Sequence, residues 1–172
     1  YFIGNTHINC YPNQLSKLFD NKYDILNYGI CGITVNNYLK SSKFTKLVEE
    51  LNNNDPNIII IMLGTNECLH NCILNDFIDD YNKLINHFTT NTNNKIYICT
   101  PPPIYKLSNK LNDQISKIIE KIKIINDNNN FVSIIDVNSM FINKHNLYKH
   151  DLIHINADGC KYLAEIIYNN IK

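Results

Sequence analysis

With 172 residues, sixteen Lys, no Arg and sixteen Asp plus Glu, the chain has the length of one ordinary domain and no net charge. A domain of this size buries about two thirds of its unfolded surface and needs no disulfide staples. Even charge without a basic run excludes an electrostatic footprint for nucleic acid or an anionic membrane, and the missing guanidinium argues against phosphorylated substrates.

Tyr1-Phe2-Ile3 predicts a first strand that ends at Gly4-Asn5-Thr6, and Leu15, Leu18 and Phe19 predict a helix over 12–21. A second strand over 23–28 closes on Gly29-Ile30-Cys31-Gly32. The helix predicted over 36–52 keeps Leu39, Phe44, Leu47, Val48 and Leu51 on one side and stops before Pro56. The run NIIIIML at 57–63 is apolar throughout, as a central parallel strand covered on both faces requires, and Gly64-Thr65-Asn66-Glu67 stops it. A helix over 73–88, a strand over 95–100 and a helix over 107–125 follow, with Pro101-Pro102-Pro103 ending the strand because proline donates nothing to a ladder. A fifth strand over 131–137 and a last helix over 156–170 complete the alternation. Five strands interleaved with helices predict a flavodoxin-like three-layer α/β/α fold with a five-stranded parallel sheet in the order 2-1-3-4-5. No repeat or linker interrupts it, so residues 1–172 read as a single domain.

The six cysteines, at 10, 31, 68, 72, 99 and 160, fit neither a small disulfide framework nor a zinc pattern and read as reduced thiols. Cys68-x-His70-x-Cys72 lacks the second ligand pair that a structural zinc site needs. No N-x-[ST] sequon occurs, and no apolar run reaches the length of a membrane span. These features point to a cytoplasmic chain without a structural zinc site.

The chemistry concentrates in Asp151-Leu152-Ile153-His154. In one tight turn this spacing lets the carboxylate hold imidazole Nδ1, which fixes the tautomer and leaves Nε2 free to take a proton from a hydroxyl. An Asp capping the next helix beside an unrelated His is the commoner meaning of an isolated D-x-x-H, so the weight comes from the other polar blocks. Ligands of such sheets bind outside the carboxyl ends of the strands, which puts Gly4-Asn5-Thr6, Gly29 to Gly32, Gly64 to Glu67 and the Asp-His pair on one rim. Thr6 offers a hydroxyl, His154 a base, Asp151 an orienter and Asn66 an amide donor, and Gly29 and Gly32 allow a backbone N–H to approach closely. These are the parts of acyl transfer through a tetrahedral oxyanion.

The same blocks resemble those of the SGNH or GDSL-type hydrolases over nearly the whole chain. Ile3-Gly4-Asn5-Thr6 stands where that family has Gly-Asp-Ser, and Asn27-Tyr28-Gly29-Ile30-Cys31-Gly32 resembles its glycine block. Gly64-Thr65-Asn66-Glu67 is similar to G-x-N-D, Asp151-Leu152-Ile153-His154-Ile155-Asn156 to D-x-x-H-P-N, and Thr100 to Pro103 to the proline-rich turn after the fourth strand. The resemblance implies an esterase without metal or cofactor, with a Thr6-His154-Asp151 triad and an oxyanion hole from Gly32, rather than Gly29, and Asn66. Four positions depart from the pattern: Thr6 for Ser, Asn5 for the preceding acid, Glu67 for Asp, and Ile155 for Pro. Of these, the Thr6 methyl bears on activity, because it restricts χ1 and crowds the attacking side. The expected function is hydrolysis of small acyl esters, such as O-deacetylation of a glycan or metabolite. The alternatives are an impaired module binding a glycan or protein in the same cleft, and an acyltransferase domain of a larger chain. Nucleotide binding fits the fold alone, since a Gly-rich phosphate cradle is missing.

Overall fold

The computed structural model describes residues 2–3, 10–20, 22–51, 57–70, 72–89, 94–106, 109–127 and 130–172. Among them four parallel strands form one sheet: β1 (Phe2–Ile3), β2 (Ile58–Ile61), β3 (Lys95–Cys99) and β4 (Val132–Ile135), in the order β1-β2-β3-β4. The register aligns Ile3 with Ile61, Ile61 with Ile98 and Ile98 with Ile134, so the strands finish together along one edge. That order matches the predicted strands one, three, four and five.

Alternation along β2 and β3 feeds two cores. Ile59, Ile61, Ile96 and Ile98 enter one cluster, whereas Ile60 and Cys99 enter the other, so both sheet faces need helical cover. One layer comprises α2 (Val35–Leu39), α3 (Ser42–Leu51), α4 (Thr65–Leu69), α5 (Leu74–Thr89) and α6 (Asn109–Asp127). The opposite layer is α1 (Tyr11–Leu18) and α8 (Ala157–Ile171), with the short α7 (Val137–Met140) at its edge. Leu84 and Phe88 on α5 are fully buried, each burial contributing about 1.5–3 kcal/mol.

Three expectations change. The strand predicted over 23–28 is not formed: apart from a single bridging residue at Asn27 the segment is irregular, so the five-stranded sheet is four-stranded among the described residues. Asn27 Oδ1 accepts the Gly29 N–H at 3.0 Å, a local turn that ends the segment. The helix predicted over 36–52 breaks at Lys40, because Ser41 Oγ donates to the Tyr38 carbonyl at 2.7 Å and accepts the Phe44 N–H at 3.2 Å. Finally, Gly64 to Glu67, read as a stop, opens the five-residue helix α4.

Candidate active site

The site starts where β2 ends. Gly64 leaves the strand at φ +123°, outside the range of L side chains, and a Cβ there would lie 2.8 Å from both Ile118 Cγ2 and Pro101 Cγ. Glycine therefore lets the chain turn directly into α4 under the Pro101 ring. That turn presents Asn66 and Glu67 to the segment that follows Gly32. Asn66 Nδ2 donates to the Ile33 carbonyl at 3.0 Å, and Glu67 Oε1 accepts the Val35 N–H at 2.6 Å.

Two adjacent α4 residues thus clamp the 29–35 segment at both ends of Thr34. Glu67 is buried, its Oε2 has no hydrogen-bond partner among the described residues, and burial pushes its carboxyl above the ordinary range despite the Val35 N–H. Gly32, at φ +70°, sits exposed on the cleft rim. The Gly29 N–H is already taken by Asn27, which leaves Gly32 as the glycine of this block whose N–H is open.

Across the cleft, the 148–156 loop is closed at its base by an antiparallel bridge between Tyr148 and Ile155. The Asn156 side chain caps α8 by accepting the Gly159 N–H at 2.9 Å, while its Nδ2 donates to the carbonyls of Asn146 and Tyr148 at 2.8 and 3.1 Å. Inside this loop Asp151 Oδ1 accepts the N–H groups of Ile153 and His154, both at 2.9 Å, and Oδ2 meets His154 Nδ1 at 2.8 Å. Leu152 takes a left-handed conformation, φ +56°, which costs about 1–2 kcal/mol and turns the chain tightly enough for the pair to meet. Partial desolvation pushes the Asp151 carboxyl up, but the two N–H groups and the imidazole outweigh it and hold it at about 2. With Nδ1 engaged, the ring nitrogen left for proton transfer is Nε2.

His154, Gly32 and Asn66 border one cleft of about 490 Å³, whose walls include Ile30, Ile33 and Leu69. Pro102 joins the rim, held there because Thr100 Oγ1, at the end of β3, donates to Asp136 and accepts the Asn138 N–H at 2.8 Å. Cys10 and Cys160 also face the cleft, but burial raises both thiols, Cys160 to about 11, so neither supplies a thiolate at neutral pH. The expected hydroxyl, Thr6, lies outside the described residues together with Gly4 and Asn5. On either side of that segment are Ile3, at the end of β1, and Cys10, on the cleft wall. Among the described residues no group of three or more His, Cys, Asp or Glu is placed to hold a metal, and no helix is long and apolar enough to cross a membrane.

Comparison with known proteins gives this constellation a family. The profile of the GDSL-like lipase/acylhydrolase family matches residues 4–162. The chain belongs to that family. The hydrolase fold also recurs in solved structures at low sequence identity. A catalytic mutant of an acetylxylan esterase from Geobacillus stearothermophilus superposes with a TM-score of 0.81 at 18% identity, covering 99% of this chain and 92% of that one. A member of the lipolytic G-D-S-L family from Veillonella parvula gives 0.77 at 15% identity, over 99% and 96%. A family 3 carbohydrate esterase from Clostridium thermocellum gives 0.71 at 17%, over 98% and 93%. No curated protein matches the chain by sequence.

The structure sets Gly32, Asn66 and His154 on one cleft, with Asp151 bonded to His154 behind it. Sequence reasoning passed over Glu67 as an interchangeable acid; its clamp on Val35 spans 32 positions, and no local signal marks it. It also passed over Leu152, since nothing but its place between Asp and His announces a left-handed leucine.

Proposed function

We propose that this hydrolase removes small acyl groups, acetyl foremost, from a glycan or small-molecule ester through Thr6, His154 and Asp151. The Gly32 N–H and the Asn66 amide hold the oxyanion. One observation carries the reading: the Asp151-His154 pair, bonded at 2.8 Å, opens onto the same cleft as Gly32 and Asn66. Thr6 Oγ1 attacks the ester carbonyl as His154 Nε2 takes its proton. The tetrahedral intermediate then collapses, the acyl–alkoxy bond breaks, and the imidazolium returns the proton to the departing alcohol. Water, deprotonated by the same nitrogen, releases the acid and restores Thr6. Asp151 stays ionised throughout and steadies the imidazolium. A cleft of about 490 Å³ has room for a small acyl group, and the two carbohydrate-directed esterases of the same fold support the glycan side.

A fluorophosphonate probe followed by peptide mapping should label Thr6. In p-nitrophenyl acetate hydrolysis Thr6→Ala should abolish turnover, and Thr6→Ser should match the native chain or fall below it. Equal rates in all three would remove Thr6 from the mechanism. The β-branch of Thr6 favours one second reading, a binding module descended from an esterase. An inactive native chain that gains turnover on Thr6→Ser would establish that reading instead.

A further inference from the structure

The Asp151 carboxylate is engaged by His154 and two backbone N–H groups, and the cleft has one further charged residue on its wall. Lys149 lines it near His154, and among the described residues no Asp or Glu does. Elsewhere lysines sit beside acids, as Lys83 does with Asp80 and Lys161 with Asp158, but Lys149 has no carboxylate partner among the described residues. Its backbone is fixed on the dyad loop: its N–H donates to the His154 carbonyl at 2.8 Å, and its carbonyl accepts the Leu152 N–H at 2.9 Å. Lys149 is exposed at the cleft it lines. An unneutralised cation at the mouth of a mostly apolar cleft attracts anions and repels cations, because low-dielectric walls focus its field.

Resting on the esterase reading above, we propose that Lys149 is a specificity residue and that the substrate class is an ester bearing an anionic group, such as a carboxylate, within reach of the scissile bond. Four esters test it: phenyl acetate, 4-acetoxybenzoate, 4-acetoxyphenyl-trimethylammonium and monophenyl succinate, each rate divided by that of hydroxide hydrolysis. The two anionic esters place the carboxylate on the alcohol and the acyl side respectively, so the one favoured reveals which half of the substrate Lys149 meets. At low salt kcat/KM should favour an anionic over the cationic ester by about three- to tenfold, a preference that fades in 0.5 M salt. Lys149→Arg should keep that ratio, Lys149→Gln should bring it towards one, and Lys149→Glu should reverse it. An identical ratio in all four proteins overturns the proposal. Should no ester be hydrolysed, the esterase reading fails but the charge question is still decided by titrating benzoate and benzylammonium against the Gly32 and His154 amide signals. Tighter benzoate binding that is lost in Lys149→Gln supports the inference, and equal binding of both ions overturns it.

Discussion

Replacing Asp151 by Asn separates the structural work of this residue from its chemical work. Oδ1 accepts two backbone N–H groups at 2.9 Å, and Oδ2 faces His154 Nδ1 at 2.8 Å. An asparagine amide has only one orientation that suits these partners, with its oxygen towards the two N–H donors and its NH₂ towards the imidazole. Nδ1 must then accept, the ring proton moves to Nε2, and the base is lost with the loop intact. The wrong tautomer costs about 10³–10⁴ in kcat/KM, or about 4–5.5 kcal/mol of transition-state stabilisation. Asp151→Ala should lose the same activity and in addition leave two N–H groups without their acceptor. Because the loop lies at the surface, water replaces part of that bonding, so the cost is about 1 kcal/mol, or about 2–4 °C in Tm for a chain of this length. The assay is p-nitrophenyl acetate hydrolysis beside thermal unfolding, with imidazole ¹⁵N shifts reporting the tautomer. An Asn variant within tenfold of the native rate, or one whose Nδ1 keeps its proton, would refute the orienting role of Asp151.

Asn66→Ala should lower kcat by about 10²–10³ with KM little changed, as removal of one oxyanion donor does, and kcat/KM on a short ester checks it. Glu67→Gln should keep the Val35 bond and remove a buried carboxylate. In the native chain the folded state holds the Glu67 proton to a higher pH than the unfolded chain, whose ordinary value is 4.5, so stability falls as pH rises above that value. Tm measured from pH 4 to 8 should show that decline in the native chain and its loss in Glu67→Gln. Asp151 acts oppositely: with its folded carboxyl at about 2 against an ordinary 3.8, its contribution is whole above pH 4 and disappears as pH falls towards 2. The Asn variant should therefore lose less stability than the native chain across that acid window, read by circular dichroism. Gly64→Ala should destabilise by about 2 kcal/mol or more, since both the backbone angle and the Ile118 and Pro101 contacts oppose a methyl, and urea unfolding checks it.

The run NIIIIML made β2 plain, because a strand with isoleucines on both faces can only lie between two helical layers. The Asp-His pair was less plain, since a spacing of three also suits an Asp that merely caps the next helix, and the other polar blocks supplied the weight. The strand expected over 23–28 drew on β-prone Tyr23, Ile25 and Tyr28, yet among the described residues only Asn27 of that segment bridges, and its side chain closes a turn on the Gly29 N–H. The break at Lys40 was legible in principle: Ser41 before Phe44 is an N-cap signal inside an otherwise continuous apolar stripe. The clamp of α4 on Val35 was not, because pairings between residues 32 positions apart are set by packing rather than by spacing.

The closed 148–156 loop has an evolutionary consequence. Its bridge, the Asn156 cap and the Asp151 bonds all begin and end within or beside the loop, so among the described residues these bonds hold it from within. Substitutions at Thr6 and at Asp151 should accordingly add in their effects on stability while failing to add in their effects on turnover, where both act on one proton. A lineage can then trade serine for threonine, or back again, without rebuilding its acid-base partner. On the proposed triad, nucleophile and base are then inherited as separable parts.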